Sequence, residues 1–388
     1  MSDHAFLACS GASIWGYCAA APKAQAQFPE PEETEETREG TAVHWVIESV
    51  LTACKHGFTS SNAEDFIGVQ APNGVIITEE MSEGADEFIQ EIVETCLKHK
   101  IPYSDLHVEE RVTGGNTIHT ENWGTPDCWV YARHISTLFL WDYKNGHRYV
   151  EVFENRQMVD YAALIMAELG INGLTDQTLK IDFCIVQPRC YHADGIVRHW
   201  QCVASDLRGL INILTSKAAE AMTDNPTITT GPHCRDCNAR HACRGAQLAA
   251  MAAIDYELKL NGSINELPPE ALGIELRMLE RAQQAISARL DGLKEQVIAT
   301  KKQVPGWMLK QGQGRQKWNK PTQEIIALGD MMSVDLRKPE DICTPKQAIK
   351  KGIDAAVINA YSFTPNTGLK LERDTGAIAK RIFSQPRG

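Results

Sequence analysis

The chain has 388 residues, 43% of them apolar, and a formal net charge of −11. That length exceeds what one hydrophobic core usually holds, so one large domain with an appendage is expected, and no apolar run is long enough for a helical membrane span. The acidic total argues at face value against nucleic-acid binding, so the charge has to be read segment by segment.

In chain order, residues 1–28 lead in. The FLACSGASIWGYCAAA stretch imitates a signal peptide but lacks a basic start and follows Asp3, and reads as part of the fold. Glu30 to Glu39 reads as a mobile acidic loop, followed by a helix over 40–56 (GTAVHWVIESVL) that sets His44 and Glu48 on one face. Glu48 reads as a surface acid. A second helix spans 80–99, and its acids from Glu79 to Glu94 read as solvated surface. Central strands are expected within 105–153. Cys128 to Ala132 is short and apolar, a turn covers Arg133 to Ser136, and TLFLWDY from Thr137 to Tyr143 is rich in β-formers. Such a hairpin brings Asp127 near Asp142. Residues two apart on a strand share a face, so Asp142 and Lys144 project together.

ENRQMVDYAALIMAEL has helical apolar spacing over 157–170, with Gln157 and Tyr161 one turn apart. Strands are expected at Lys180 to Pro188 and Ile196 to Ala204, then a helix over 205–223, with a cysteine loop closing the core near 250. Leu272, Leu276, Leu279, Gln283, Ile286, Leu290, Leu293 and Val297 form a heptad seam, able to dimerise or to pack on the core, with packing the default. Ala299 to Pro321 carries Lys301, Lys302, Lys310, Arg315, Lys317 and Lys320 without an acid, interleaved with Trp307 and Trp318. That pattern suits either a strand-tracking surface or a basic hairpin with two core tryptophans. Thr344 to Ala360 reads as a small helical module, and the tail beyond Ser362 as loose.

The chemistry-bearing residues fall into two sets. Asp127 and Asp142 can hold a hard divalent cation through oxygen ligands, His44 can add a third ligand, and the Lys144 ammonium can orient water or stabilise charge on a phosphate. The second set is Cys234, Cys237 and Cys243, spaced C-x2-C-x5-C, which reads as a metal or cluster site short of one ligand. A zinc knuckle that adds His233 or His241 is one way to complete it. Most of the other cysteines, of 12 in all, sit in apolar settings as small hydrophobes.

The ordered set of His44, Asp127, Asp142-x-Lys144 and Gln157-x3-Tyr161, followed by the clustered cysteines, resembles the RecB-like, iron-sulfur branch of the PD-(D/E)XK nucleases, including phage-encoded members. The phrases that carry the likeness are Trp15 to Cys18 (WGYC), Arg38 to His44 (REGTAVH), Trp141 to Gly146 (WDYKNG), Glu154 to Gln157 (ENRQ) and Ile185 to Arg189 (IVQPR). They cover about residues 5–250. Cys18 is followed by Ala where Pro is more usual.

The resemblance implies an α/β fold: a central mixed β-sheet flanked by helices, a restriction-endonuclease-like core over 1–250 with an iron-sulfur clasp, and a helical extension over 251–388. It implies that His44, Asp127, Asp142 and the backbone carbonyl of Tyr143 bind Mg2+ or Mn2+, and that Lys144 positions the attacking water. Gln157 and Tyr161 would steady that lysine or the DNA backbone. Cys18, with Cys9 as the alternate, would join Cys234, Cys237 and Cys243 in holding a [4Fe-4S] cluster, with Zn2+ the alternative. The implied activity is metal-dependent cleavage of DNA, as an exonuclease on single strands or duplex ends in phage replication or recombination, in the cytoplasm of an infected host, with partner proteins or a second copy. A DNA-binding accessory module without cleavage and an endonuclease or RNA-directed phosphodiesterase are the competing readings.

Overall fold

Five strands in the order β1-β2-β3-β4-β5 make a mixed sheet in the computed structural model: β1 His107–Val108, β2 Cys128–Ala132, β3 Thr137–Tyr143, β4 Lys180–Val186 and β5 Val197–Val203. The structure describes residues 5–29, 33–58, 62–172, 175–190, 192–259, 269–302, 304–305 and 307. Residues 5–302 of these belong to one compact unit, and 304, 305 and 307 to another. The β2–β3 hairpin is antiparallel, with Cys128 opposite Trp141, and turns through a 3₁₀ segment at Arg133–Ile135 and a left-handed Ser136. Strands β3 and β4 are parallel, and β4 and β5 antiparallel.

The helices are α1 Ala12–Trp15, α2 Ala21–Gln25, α3 Glu35–Lys55, α4 Glu79–His99, α5 Arg156–Glu168, α6 Arg208–Met222, α7 Arg244–Lys259 and α8 Pro269–Thr300. Strand β3 is buried along its whole length, so its two-residue period sorts side chains between two cores rather than between core and water. Leu138 and Leu140 join residues of α1, α5 and α6 on one face. Phe139, Trp141 and Tyr143 join α3 and α4 on the other. Asp142 is therefore in phase with the leucines and faces α5. Because β3 is parallel to β4, α5 is the crossover between them, and its N-terminus arrives beside the carboxyl end of β3.

The α3 helix starts five residues before the expected position, with Thr34 accepting from the Thr37 amide at 3.1 Å. Glu35 and Glu36 lie in its first turn, where the positive end of the helix dipole favours acids, so residues 35–39 are helical rather than part of a mobile loop. The lead-in is folded: Leu7, Cys9, Ala12 and Trp15 are buried, and the Leu7 and Cys9 amides bond to the carbonyls of Glu121 and Trp123. No helix among the described residues is long and apolar enough to cross a membrane. On α8, the seam residues Leu272, Leu276, Leu279, Leu290 and Leu293 are all exposed, while Ala288 is buried. In the basic segment, Lys301, Lys302 and Trp307 are exposed. Lys310, Arg315, Lys317, Trp318 and Lys320, the module from Thr344 to Ala360 and the tail lie outside the described residues.

Candidate metal centre and cysteine cavity

Four elements deliver polar side chains to the carboxyl end of β3. The first is α3, whose His44 Nδ1 lies 3.6 Å from Asp127 Oδ1 and 3.3 Å from Glu109 Oε1. Asp127 ends the approach to β2, and its Oδ2 accepts the Tyr143 amide across the hairpin at 2.6 Å. That bond fixes the carboxylate and leaves Oδ1 facing His44. Asp142 and Lys144 project to the α5 side as the strand period requires, with Lys144 Nζ donating to Asp142 Oδ1 at 3.1 Å. The fourth element is α5, where the Asn155 side chain caps the helix by accepting the amides of Gln157 and Met158. The cap turns Gln157 into the cleft: Nε2 donates to Asp142 Oδ1 at 3.0 Å, and Oε1 accepts from Lys144 Nζ at 3.1 Å.

Tyr161 reaches the same cleft, as its spacing suggests, and its hydroxyl meets the Gln157 side chain. It is one turn further into the core, and its hydroxyl donates to the Thr125 carbonyl at 3.1 Å, bracing the chain two residues before Asp127. Glu48 is exposed on α3. The Tyr143 ring packs edge-on against His44, with centroids 5.5 Å apart.

Burial and mutual charge set the electrostatics. Burial raises the Asp142 carboxyl to about 6, opposed by the Lys144 ammonium and reinforced by Asp127. Asp127 is raised as well, chiefly by burial. His44 is desolvated, yet the carboxylates of Asp127 and Glu109 overcome that and raise it to about 9. Asp142 Oδ2 has the Lys144 ammonium at 2.9 Å but no well-formed hydrogen bond. Buried carboxylates that resist ionisation, with an unsatisfied acceptor oxygen among them, form a donor set suited to a hard divalent cation.

Sequence reading missed Glu109. It follows β1 in a left-handed conformation (φ 47°), held by its amide on the Asp127 carbonyl, and with His44 and Asp127 it makes a three-donor group within 4.8 Å. Its signal was the acidic pair Glu109-Glu110 just after a short β-like stretch. Gln187, of the Ile185 to Arg189 phrase, is fully buried and clamps the loop after Lys144: Nε2 donates to the carbonyls of Gly146 and Arg148, and Oε1 accepts from the Val150 amide and Arg198. Arg189 then ties this strand end to Glu39 of α3 and Glu80 of α4. In the Arg38 to His44 phrase, Gly40 lets Asn145 come close: a Cβ there would sit 3.3 Å from Asn145 Cβ.

The second set also converges. Cys18, Cys234, Cys237 and Cys243 all line one cavity of about 220 Å³ between the α1–α2 segment and residues 228–246. The Thr229 amide donates to Cys18 Sγ and the Gly231 amide to Cys234 Sγ, both at 3.4 Å. Burial and the neighbouring cysteines raise the Cys237 thiol to about 11. Cys9 lies elsewhere, buried against Asp160 and Asn122. His233 already bonds the Thr229 carbonyl and stacks on Tyr17, and His241 bonds the Asn238 carbonyl. The structure thus brings Cys18, rather than Cys9, to the other three.

A groove of about 1060 Å³ runs from His44 and Lys144 past Arg148 to Arg235, Arg240 and Lys294, with Glu36, Asp236, Asp291 and Glu295 among its walls. Arg148 is paired with Asp236 through two bonds, and Arg240 with Glu295. The profile of the family described as Protein of unknown function (DUF2800) matches residues 4–349. No curated protein matches the chain.

Proposed function

The chain belongs to the DUF2800 family over most of its length, and we propose that this member is a metal-dependent nuclease acting on DNA. The observation that carries this reading is the convergence of His44, Glu109, Asp127, Asp142, Lys144 and Gln157 at one strand end. His44, Asp127 and Asp142 would hold Mg2+ or Mn2+, with Glu109 as a further donor and the Tyr143 carbonyl in reach of the same strand end. The bound cation supplies Lewis acidity toward the scissile phosphate and lowers the pKa of water.

The chain's own residues do the rest. Gln157 holds Lys144 and Asp142 in one geometry, so the ammonium stays aimed at the cleft rather than folding onto a single carboxylate oxygen. Its charge opposes the negative charge that develops on phosphoryl oxygens during in-line attack. Asp127, locked by the Tyr143 amide, keeps a fixed carboxylate beside His44. The groove leading away from the site carries Arg148, Arg235, Arg240 and Lys294, of which Arg148 and Arg240 are paired with acids that a phosphate backbone would have to displace. A DNA-binding module without cleavage would have no chemical use for a buried Asp142 paired with Lys144 beside Asp127 and His44.

Cys18, Cys234, Cys237 and Cys243 would hold the [4Fe-4S] cluster. The four thiols line one cavity of about 220 Å³, and four cysteine sulfurs are the donor set such a cluster takes. The amide donors to two of the sulfurs suit thiolates in either case. The clasp joins the lead-in to the end of the sheet domain and contributes stability rather than chemistry.

The test is digestion of 5′- and 3′-labelled single- and double-stranded DNA, and of RNA, with Mn2+ or Mg2+. Metal-dependent DNA products that vanish in Asp142→Asn carry the proposal. Products unchanged in that variant, or none with any substrate, overturn it.

A further inference from the structure

A third set of donors converges on the α4 face of the sheet, away from both sites described above. Cys184 on β4 and His199 on β5 are direct partners across the antiparallel ladder, so their side chains leave the same face side by side. Over them lies Glu91 of α4. His199 Nε2 is 3.7 Å from Cys184 Sγ and 3.5 Å from Glu91 Oε1, and all three donor atoms fall within 4.8 Å of one another. A tetrahedral zinc with a sulfur ligand at about 2.3 Å and nitrogen and oxygen ligands at about 2.0 Å separates sulfur from nitrogen by about 3.5 Å and nitrogen from oxygen by about 3.3 Å. Both spacings to His199 Nε2 lie within about 0.2 Å of these values.

The surroundings are those of a ligand imidazole. His199 Nδ1 lies 2.9 Å from Asp182 Oδ1, and the other Asp182 oxygen accepts from Gln201 at 2.7 Å. A carboxylate on Nδ1 fixes the tautomer that aims the Nε2 lone pair at a metal, and raises the basicity of the ring. Glu91 is oriented in turn by the Thr95 hydroxyl at 3.1 Å and by Trp141, the β3 neighbour of Cys184. Two other readings fit less well. An ion-pair seam of His199 between Glu91 and Asp182 accounts for the two carboxylates and leaves Cys184 as a core hydrophobe, whereas a metal uses all three donors at once. A thiol nucleophile needs substrate access, and Cys184 is 1% exposed.

We propose that Glu91, Cys184 and His199 form a mononuclear transition-metal site of the zinc class, oriented by Asp182 and open to solvent beside His199. It ties the edge strand β5 to α4. The site is independent of the nuclease reading, since its residues lie outside the cleft and the cysteine cavity.

The test is elemental analysis of the full chain purified from zinc-supplemented medium, alongside X-ray absorption at the zinc edge. One zinc per chain with one sulfur ligand at about 2.3 Å, lost in both His199→Asn and Glu91→Gln but retained in Cys234→Ala, carries the proposal. Asp182→Asn should weaken zinc affinity by about 10- to 100-fold, as loss of an orienting carboxylate does. If Cys234→Ala loses the zinc and the two cleft-independent variants keep it, the metal belongs to the cysteine cavity and the proposal fails. Equal zinc content in wild type, His199→Asn and Glu91→Gln overturns it as well, and leaves His199 as an ion-pair link.

Discussion

The carboxylate centre and the cysteine cavity differ in how the chain reaches them. Residues of the first come from positions 44 to 157 and sit on long helices or on central strands and the residues that flank them, where Tyr143 holds Asp127 and Asn155 places Gln157. The cavity joins Cys18 to Cys234, Cys237 and Cys243 across more than two hundred residues, on turns and short helical segments. The first is a site that a stable scaffold supports at a cost in buried charge. The second is a staple on which the placement of the lead-in depends.

That difference predicts opposite outcomes for substitution. Asp142→Asn should lower the cleavage rate by about 10³-fold or more, since several kcal/mol of charge stabilisation goes with the ligand. Its melting temperature should stay within a few degrees, because burial already disfavours the ionised carboxylate that the amide replaces. Circular-dichroism melting together with cleavage kinetics checks both halves. A large loss of stability would mean that Asp142 serves the scaffold, and would break the contrast.

Cys234→Ala should behave in reverse. Loss of a tightly bound cluster removes about 4 kcal/mol, equivalent to roughly a 10 °C fall in melting temperature for a unit of this size. Cleavage by the molecules that remain folded should be nearly unchanged. Anaerobically purified wild type should be brown and this variant colourless. Colourless wild type with stoichiometric zinc in the cavity would keep the staple but change its metal.

The two sites were unequally legible in the sequence. The hairpin and the placement of Asp127, Asp142, Lys144 and Gln157 followed from strand and helix periods, because local spacing decides which face a side chain takes. The gathering of Cys18 with the later cysteines came from the resemblance alone; no local pattern relates positions 18 and 234. Glu109 was invisible for a different reason: it occupies a left-handed backbone position after a two-residue strand, where no period applies. Gln187 looked like the end of a strand, and its role appears only when the loop at 146–150 folds back over it. The α3 start was displaced because the acidic run Glu30 to Glu39 reads as a mobile loop until Thr34 is recognised as a cap.

A third attachment of the lead-in sharpens the comparison. Asp160 is fully buried, accepts from Asn122 at 3.0 Å, and has its other oxygen unpaired; burial raises it to about 7. A carboxyl whose folded pKa lies above its unfolded value of about 3.9 contributes stability that is complete below that value and is lost as pH rises toward 7. Asp160→Asn should therefore flatten the fall in stability between about pH 4 and pH 7, and be more stable than wild type at pH 8. Urea unfolding at several pH values measures this. A parallel pH dependence in the two proteins would show that the lead-in tolerates the charge.

The smallest effect expected is that of Tyr161→Phe, and it tests whether the scaffold and the carboxylate centre are separable at all. The hydroxyl donates to the Thr125 carbonyl, and the loss of that bond should cost about 1 kcal/mol of stability, as a single buried bond does. Thr125 is followed by Pro126 and Asp127, so any slack in the brace passes to the carboxylate through a proline-stiffened link. If Asp127 is held chiefly by the Tyr143 amide, cleavage should fall by less than about tenfold, in step with that 1 kcal/mol. A loss of about 10²-fold with the same small change in stability would mean that Tyr161 positions Asp127 for chemistry. The centre would then extend one helical turn deeper into the α5 core than its ligands alone define.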